Sequence, residues 1–440
     1  MRAVFDTLAE HLLAVQRPGE DWTAYFSGES TDFVRFNHAR VRQPGSVTQA
    51  DVGVTLVRDG RQASAQVPVC GSPTEDRARL DAALVDLRGL LPHLPQDPHL
   101  NLHRASDHTD DVQLPSLPPT EDVVDVITAA AAETDMVGIL ASGPMYRGFA
   151  SSVGQRDWFG RAALHLDYSL VLSDDKAYKD TLATSAFDAD VLRARLDAGR
   201  RALADLALPP VERPPGAYRA WLTPAAAGEL LELLCWGGFS ARELDARKSP
   251  LARLYAGDVA LDGRVSIAEE TRARGMPSFG SDGFRKPERV ALVRDGRAGD
   301  RLVSPRSAVE LGLETNGASG GEGSSALTLG PGQLDHDTAL GRLDTGIWVS
   351  NLWYANWSDR SSARATGMTR FATFWVEGGR VVGPLRSMRF DDSLYRLLGE
   401  GLIGLGSTVE DLPNVGTYGE RGLGGMASPG WLVDGMRFTL

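Results

Sequence analysis

Cysteine is scarce. Cys70 and Cys235 are the two in a chain of 440 residues, and they share no CxxC or other close spacing. This excludes a disulfide scaffold and a cysteine zinc knuckle, and it fits a reducing, cytoplasmic setting. Long hydrophobic runs are missing as well: none reaches the roughly 18 apolar residues that cross a bilayer, so no membrane association is expected. The first residues place Asp6 and Glu10 among Val4, Phe5, Leu8, Leu12 and Leu13, an amphipathic helix rather than a signal peptide. Basic charge is also short, with 46 Lys and Arg against 58 Asp and Glu for a net charge of −12. No basic run supplies a phosphate-binding surface, which argues against nucleic acid.

Catalytic signatures are equally thin. HExxH is missing from the sequence, and neither Gly143 and Gly148 nor the run 317–323 matches GxGxxG or the P-loop in a strand-to-helix context. The eight histidines, His11, His38, His93, His99, His103, His108, His165 and His336, are mostly isolated. His99, His103 and His108 are close enough to suggest zinc, but the surrounding prolines and acidic residues argue for a solvated linker. Cys235, beside Leu233, Leu234 and Trp236, reads as a buried packing thiol.

What is present is an ordinary globular composition, 42% hydrophobic and 24% charged, in a chain long enough for several domains. Residues 22–26, 31–36 and 47–57 alternate as antiparallel strands; Asp59-Gly60 turns the chain so that 63–69 returns along 47–57, and 77–91 reads as a helix. Residues 1–91 thus form an N-terminal α/β domain. Six prolines make 92–119 a linker. A middle α/β segment follows over 120–208, with helices at 120–132 and 188–206 and strands at 136–149 and 162–172. Pro209, Pro210, Pro214 and Pro215 break the chain before a third region, 218–440. That region opens on a helix with Thr223 as N-cap and Pro224 at its first position. It continues as a mainly antiparallel β domain with turns at Asp282-Gly283, Asp295-Gly296, Asn316-Gly317 and Gly378-Gly379. The fold class is α+β.

Within it, Asn316, Gly317, Gly320, Gly321 and Gly323 mark a flexible loop of the kind that admits an extended ligand. Trp353, Tyr354 and Trp357, and likewise Met368, Phe371, Phe374 and Trp375, read as packing residues.

In the third region Val265-Ser266-Ile267-Ala268-Glu269-Glu270 resembles an I-x-E-D strand, 302–313 an S-A-R-K-L-G stretch, and Glu314-Thr315-Asn316-Gly317 an S-T-G-N loop. The most specific match is Phe374-Trp375-Val376-Glu377-Gly378-Gly379-Arg380-Val381-Val382-Gly383-Pro384 to F-W-V-E-N-G-E-I-x-x-P. With this ordered series the region resembles the TldD/PmbA family. The resemblance implies a modulator of DNA gyrase or zinc-peptidase relative with an α/β N-terminal part and a larger β domain. It also implies two kinds of subunit, of which the TldD type carries zinc on an HExxxH helix. Here the corresponding helix reads Leu231-Glu232-Leu233-Leu234-Cys235-Trp236, so Leu231 and Trp236 stand at the histidine places and Glu232 is left alone. No cysteine follows Cys235. The chain therefore resembles the PmbA, or TldE-like, subunit: without catalytic, cofactor or metal residues of its own, its zinc expected in a TldD-type HExxxH partner, its ligand an extended or unfolded peptide. Such a peptide could be captured by strand addition. Homo-oligomerisation stays open. The alternatives are a free-standing hydrolase with an unrecognised site and a peptide-binding scaffold.

Overall fold

The computed structural model describes residues 1–173, 176–335 and 338–439; His336 lies outside the described residues. The N-terminal part is built on one seven-stranded sheet. Its order is β3 (Arg61–Val69), β2 (Arg40–Arg58), β1 (Asp21–Asn37), β5 (Asp135–Ser151), β6 (Arg156–Ser173) and β4 (His108–Gln113), with β7 (Lys176–Thr184) also on β6. The hairpin expected at Asp59-Gly60 forms, both residues having positive φ, and it pairs Ala63 with Leu56 and Val69 with Ala50.

Two sequence expectations need correction here. Stretches 1–91 and 120–208, read as separate units, share this sheet, because β1 pairs with β2 on one side and with β5 on the other. The expected linker 92–119 is not irregular throughout: residues 108–113 form β4, parallel to β6. Its prolines sit at the two ends and leave 99–114 free of them, so nothing there prevents backbone pairing. Asn101 Nδ2 donates to Pro305 O at 3.0 Å and His103 Nδ1 meets Gln155 Oε1 at 2.8 Å, which anchors the stretch ahead of β4.

Strand alternation decides what each face of the sheet does. Even positions of β6, Trp158, Leu164, Leu166, Tyr168 and Leu170, are buried in two apolar clusters. Those clusters are roofed by α1 (Arg2–Val15) with α2 (Pro73–Leu90), and by α3 (Thr120–Ala130) with α4 (Ala189–Leu206). Helix α4 is capped by the Asp188 carboxylate, which accepts from Asp190 N and Val191 N. Odd positions of β6 face the C-terminal part. Phe159 packs with Phe149 and Phe279, and Asp157, its side chain fully buried, pairs with Arg285 at 2.8 Å.

The C-terminal part is an eleven-stranded mixed sheet that partly closes on itself. Strand β8 (Gly216–Leu222) runs parallel to β13 (Gly346–Asp359) and antiparallel to β18 (Gly425–Phe438). With β14 (Arg364–Glu377) and β16 (Arg389–Ser393) between them, β8, β13 and β18 complete a ring of five strands. The long strand β17 (Leu402–Pro413) lies along β18. Helix α5 (Pro224–Cys235) packs on the sheet, burying Leu230, Leu231, Leu233 and Leu234. Among the described residues, no helix is long and apolar enough to cross a membrane.

Glycine is required where the two parts meet. Gly283 has φ +83°, and a Cβ there would stand 2.4 Å from the Phe149 ring; its carbonyl accepts from Gln155 Nε2 at 2.8 Å. Because Asp157 is buried, removing its cationic partner should be expensive even though Thr109 and Gln155 also donate to it. Arg285→Met is expected to lower stability by about 2–4 kcal/mol in urea unfolding. Arg272→Met, at an exposed pair with Glu288, should leave the midpoint where it is.

Candidate functional site

Helix α5 starts as its sequence dictates: Thr223 Oγ1 accepts from Ala226 N at 3.4 Å and donates to Ser350 O at 2.5 Å, with Pro224 in the first turn. Its leucines face the core. The opposite stripe, Ala225, Gly228, Glu229, Glu232 and Cys235, with Trp236 at the end, lines a cleft of about 520 Å³. These positions follow the three-and-four spacing of one helix face. Gly228 lets β17 approach, since a Cβ there would lie 2.2 Å from Leu412 Cδ1.

The facing wall comes from the N-terminal sheet. Lys179 Nζ pairs with Asp167 at 2.9 Å, and Thr181 Oγ1 donates to the same carboxylate at 2.7 Å. Arg195 pairs with Asp180 at 2.9 Å, and Tyr168 donates to Asp180 at 3.1 Å. Glu410, from β17, also lines the cleft.

Of the sequence-selected helix residues, Glu232 and Trp236 reach the cleft, whereas Leu231 is fully buried in the core. The residue that sequence reading missed is Glu229. Burial, then the neighbouring Glu232, pushes its carboxyl up to about 7, with Lys179 opposing. Near neutrality it can therefore both donate and accept a proton. The signal was available: Glu229 and Glu232, three apart, form the polar stripe of an otherwise apolar helix. Cys235 is half-buried: it packs against the C-terminal core, as expected, and also lines the cleft. Burial, then Glu269, pushes its thiol up to about 12, so it stays protonated and is a poor nucleophile.

The glycine-rich loop is anchored more firmly than its composition suggests. Glu322, fully buried, accepts from Ser240 Oγ at 2.5 Å, Arg242 N at 3.0 Å and Ser304 N at 2.8 Å. Burial works to raise this carboxyl, but the hydrogen bonds outweigh it and hold it below its ordinary value. Asn316 is tied to Arg301 O at 2.7 Å and Val303 N at 2.9 Å, and Gly317 packs against Arg285 O. Gly320 meets open space, and Gly321 and Gly323 line a depression that shares Cys235, Trp236, Ser324 and Ser325 with the cleft. The loop's latter half thus borders the cleft, while Asn316 and Gly317 lie away from it.

Residues 215–440 match the family model of the PmbA/TldA metallopeptidase C-terminal domain. The chain belongs to the PmbA/TldD family. Solved structures share its whole fold at low identity. A Thermotoga maritima protein described as a modulator of a DNA gyrase superposes with TM-score 0.77 at 14% identity, covering 99% of this chain and 100% of the other. TldE from Thermococcus kodakarensis gives 0.76 at 14% identity, covering 99% and 100%. A Bacteroides thetaiotaomicron protein, also described as a modulator of DNA gyrase, gives 0.74 at 15%, covering 100% and 98%. No curated protein matches the chain.

A metallopeptidase family implies a metal, and the residues present do not fit one. The cleft face of α5 offers two carboxylates and a protonated thiol but no histidine. Among the described residues no three His, Cys, Asp or Glu side chains gather as a ligand set, whereas protein zinc sites use three or four.

Ionising Glu229 works against folding. Its folded pKa lies above the unfolded one, so stability should fall as pH rises from about 4.5 to about 7 and then level off. Glu229→Gln is expected to remove that fall and to gain roughly 1–3 kcal/mol over the native chain at pH 8. Urea unfolding at pH 5 and pH 8 measures both.

Proposed function

We propose that this chain is the non-catalytic, TldE-like subunit of a two-component peptidase, pairing with an HExxxH-bearing TldD-type chain that brings the zinc. It helps enclose and position an extended or unfolded peptide. One observation carries the reading: the helix face that lines the cleft bears Gly228, Glu229, Glu232 and Cys235, where a zinc peptidase needs histidines to hold its metal. The long cleft between two sheets, with hydrogen-bonding groups on both walls, suits a peptide main chain. The relatives described as TldE and as modulators of DNA gyrase support the family setting in their fold alone.

A second reading is favoured by one feature. Glu229, titrating near neutrality inside the cleft, has the character of a general acid–base group and would suit a free-standing hydrolase.

The two readings separate in a peptide-cleavage assay. The purified chain alone is expected to be inactive on unstructured peptides and to hold no stoichiometric zinc by elemental analysis. Mixing it with its HExxxH partner should give chelator-sensitive cleavage. Turnover by the isolated chain that survives stringent purification and disappears in Glu229→Gln would replace the first reading with the second.

A further inference from the structure

Beside the cleft lies a second cavity of about 250 Å³, which shares Pro413, Asn414 and Leu423 with it. Its wall holds Arg161, Arg274, Arg421 and His165 and no aspartate or glutamate, in a chain of net charge −12. Two of the arginines already have counter-ions: Arg161 pairs with Asp111 at 2.7 Å, and Arg274 pairs with Asp411. Arg421 has none. It is 3% exposed, its Nη1 and Nη2 donate to the carbonyls of Gly143 and Ala163 at 3.0 Å each, and its Nε has no hydrogen-bond partner. The acid whose field reaches it, Glu29, is engaged by Thr31 and Gln49 instead.

A buried guanidinium without a carboxylate is costly, and an anion would relieve it. His165 adds a second unsatisfied group: it is 4% exposed and its Nε2 is unpartnered. Burial, then the charge of Arg421, lowers this imidazole to about 4, with Asp167 opposing, so it stays neutral at pH 7. The cavity therefore offers one positive charge without an ion pair among the described residues, which matches a monoanion better than a phosphate dianion. Met145, Leu164 and Leu423 add apolar surface to the wall.

We propose that this cavity binds a carboxylate carried on an apolar group, and that it receives the C-terminal carboxylate of a peptide lying in the adjoining cleft. The peptide source rests on the function proposed above; the carboxylate site rests on Arg421 and its surroundings alone. Guanidinium–carboxylate hydrogen bonds are among the strong ones in such a setting.

Calorimetric titration of the full chain with N-acetyl-leucine, N-acetyl-leucinamide and inorganic phosphate tests the site. The acid is expected to bind with a Kd near about 1 mM and at least about tenfold more tightly than the amide. Arg421→Gln should abolish the preference. Because Arg421 also holds two carbonyls, Ser185→Glu, which sets a competing carboxylate at the exposed rim, provides a second variant and should weaken the acid in a chain of unchanged unfolding midpoint. Equal binding of acid and amide, no acid binding, a preference untouched by both variants, or tighter binding of phosphate would each overturn the carboxylate site. A five-residue peptide acid ending in leucine should then bind more tightly than N-acetyl-leucine and than its own amide. If it gains nothing over N-acetyl-leucine, the cavity stands as a carboxylate site and the peptide source is overturned.

Discussion

A buried carboxylate, Asp157, fixes how the two sheets meet. It stands on an odd position of β6, the strand whose even positions are committed to the helices, and it is satisfied in the interior because Arg285, Thr109 and Gln155 all donate to it. That set brings together β4, β6 and the turn at Gly283 from three distant parts of the sequence. Once β6 is docked at Asp157, its next odd positions are placed in turn: Phe159 against Phe279, Arg161 and His165 in the small cavity, Asp167 in the cleft. The functional surfaces are thus consequences of one strand's alternation and one desolvated pair.

The connection between β17 and β18 makes a second crossing. Glu420 accepts from Ser27 at 2.7 Å and pairs with Arg147 at 3.1 Å, and Gly419 O accepts from Gln49 at 2.6 Å. The neighbouring Arg421 is carried by the same segment onto the carbonyls of β5 and β6. The cleft and the cavity therefore lie side by side with opposite character, one edged by Glu229, Glu232 and Glu410, the other by arginines.

Much of the fold was legible because local chemistry and burial agreed. Asp188 and Thr223 cap the helices they precede, Asp59-Gly60 turns a hairpin, and the alternation of β1, β2, β5 and β6 marks half-buried strands. The failures share a cause. Strand β4 is polar and β7 is only half-buried, so neither shows a hydrophobic period; both are held by pairing to β6, which a linear pattern does not encode. Glycine content suggested a loose loop over 316–325, but a single glutamate, Glu322, binds it through three donors from two other segments. At the site, motif spacing drew attention to Leu231, whereas helical phase turns that side chain inward and brings Glu229 to the cleft.

The ring of strands in the C-terminal part has a consequence for biogenesis. Trp221 of β8 pairs across to Leu432 of β18, 211 residues later. At ribosomal speeds of about 5–20 residues per second, β8 waits roughly 10–40 s for this neighbour. Throughout that interval the apolar residues of β8 and α5, among them Trp221, Leu222, Leu230 and Leu231, have no completed core to enter. The nascent C-terminal part is therefore a natural client for chaperones, while the N-terminal sheet, whose strands all lie before residue 185, has its full complement of partners long before.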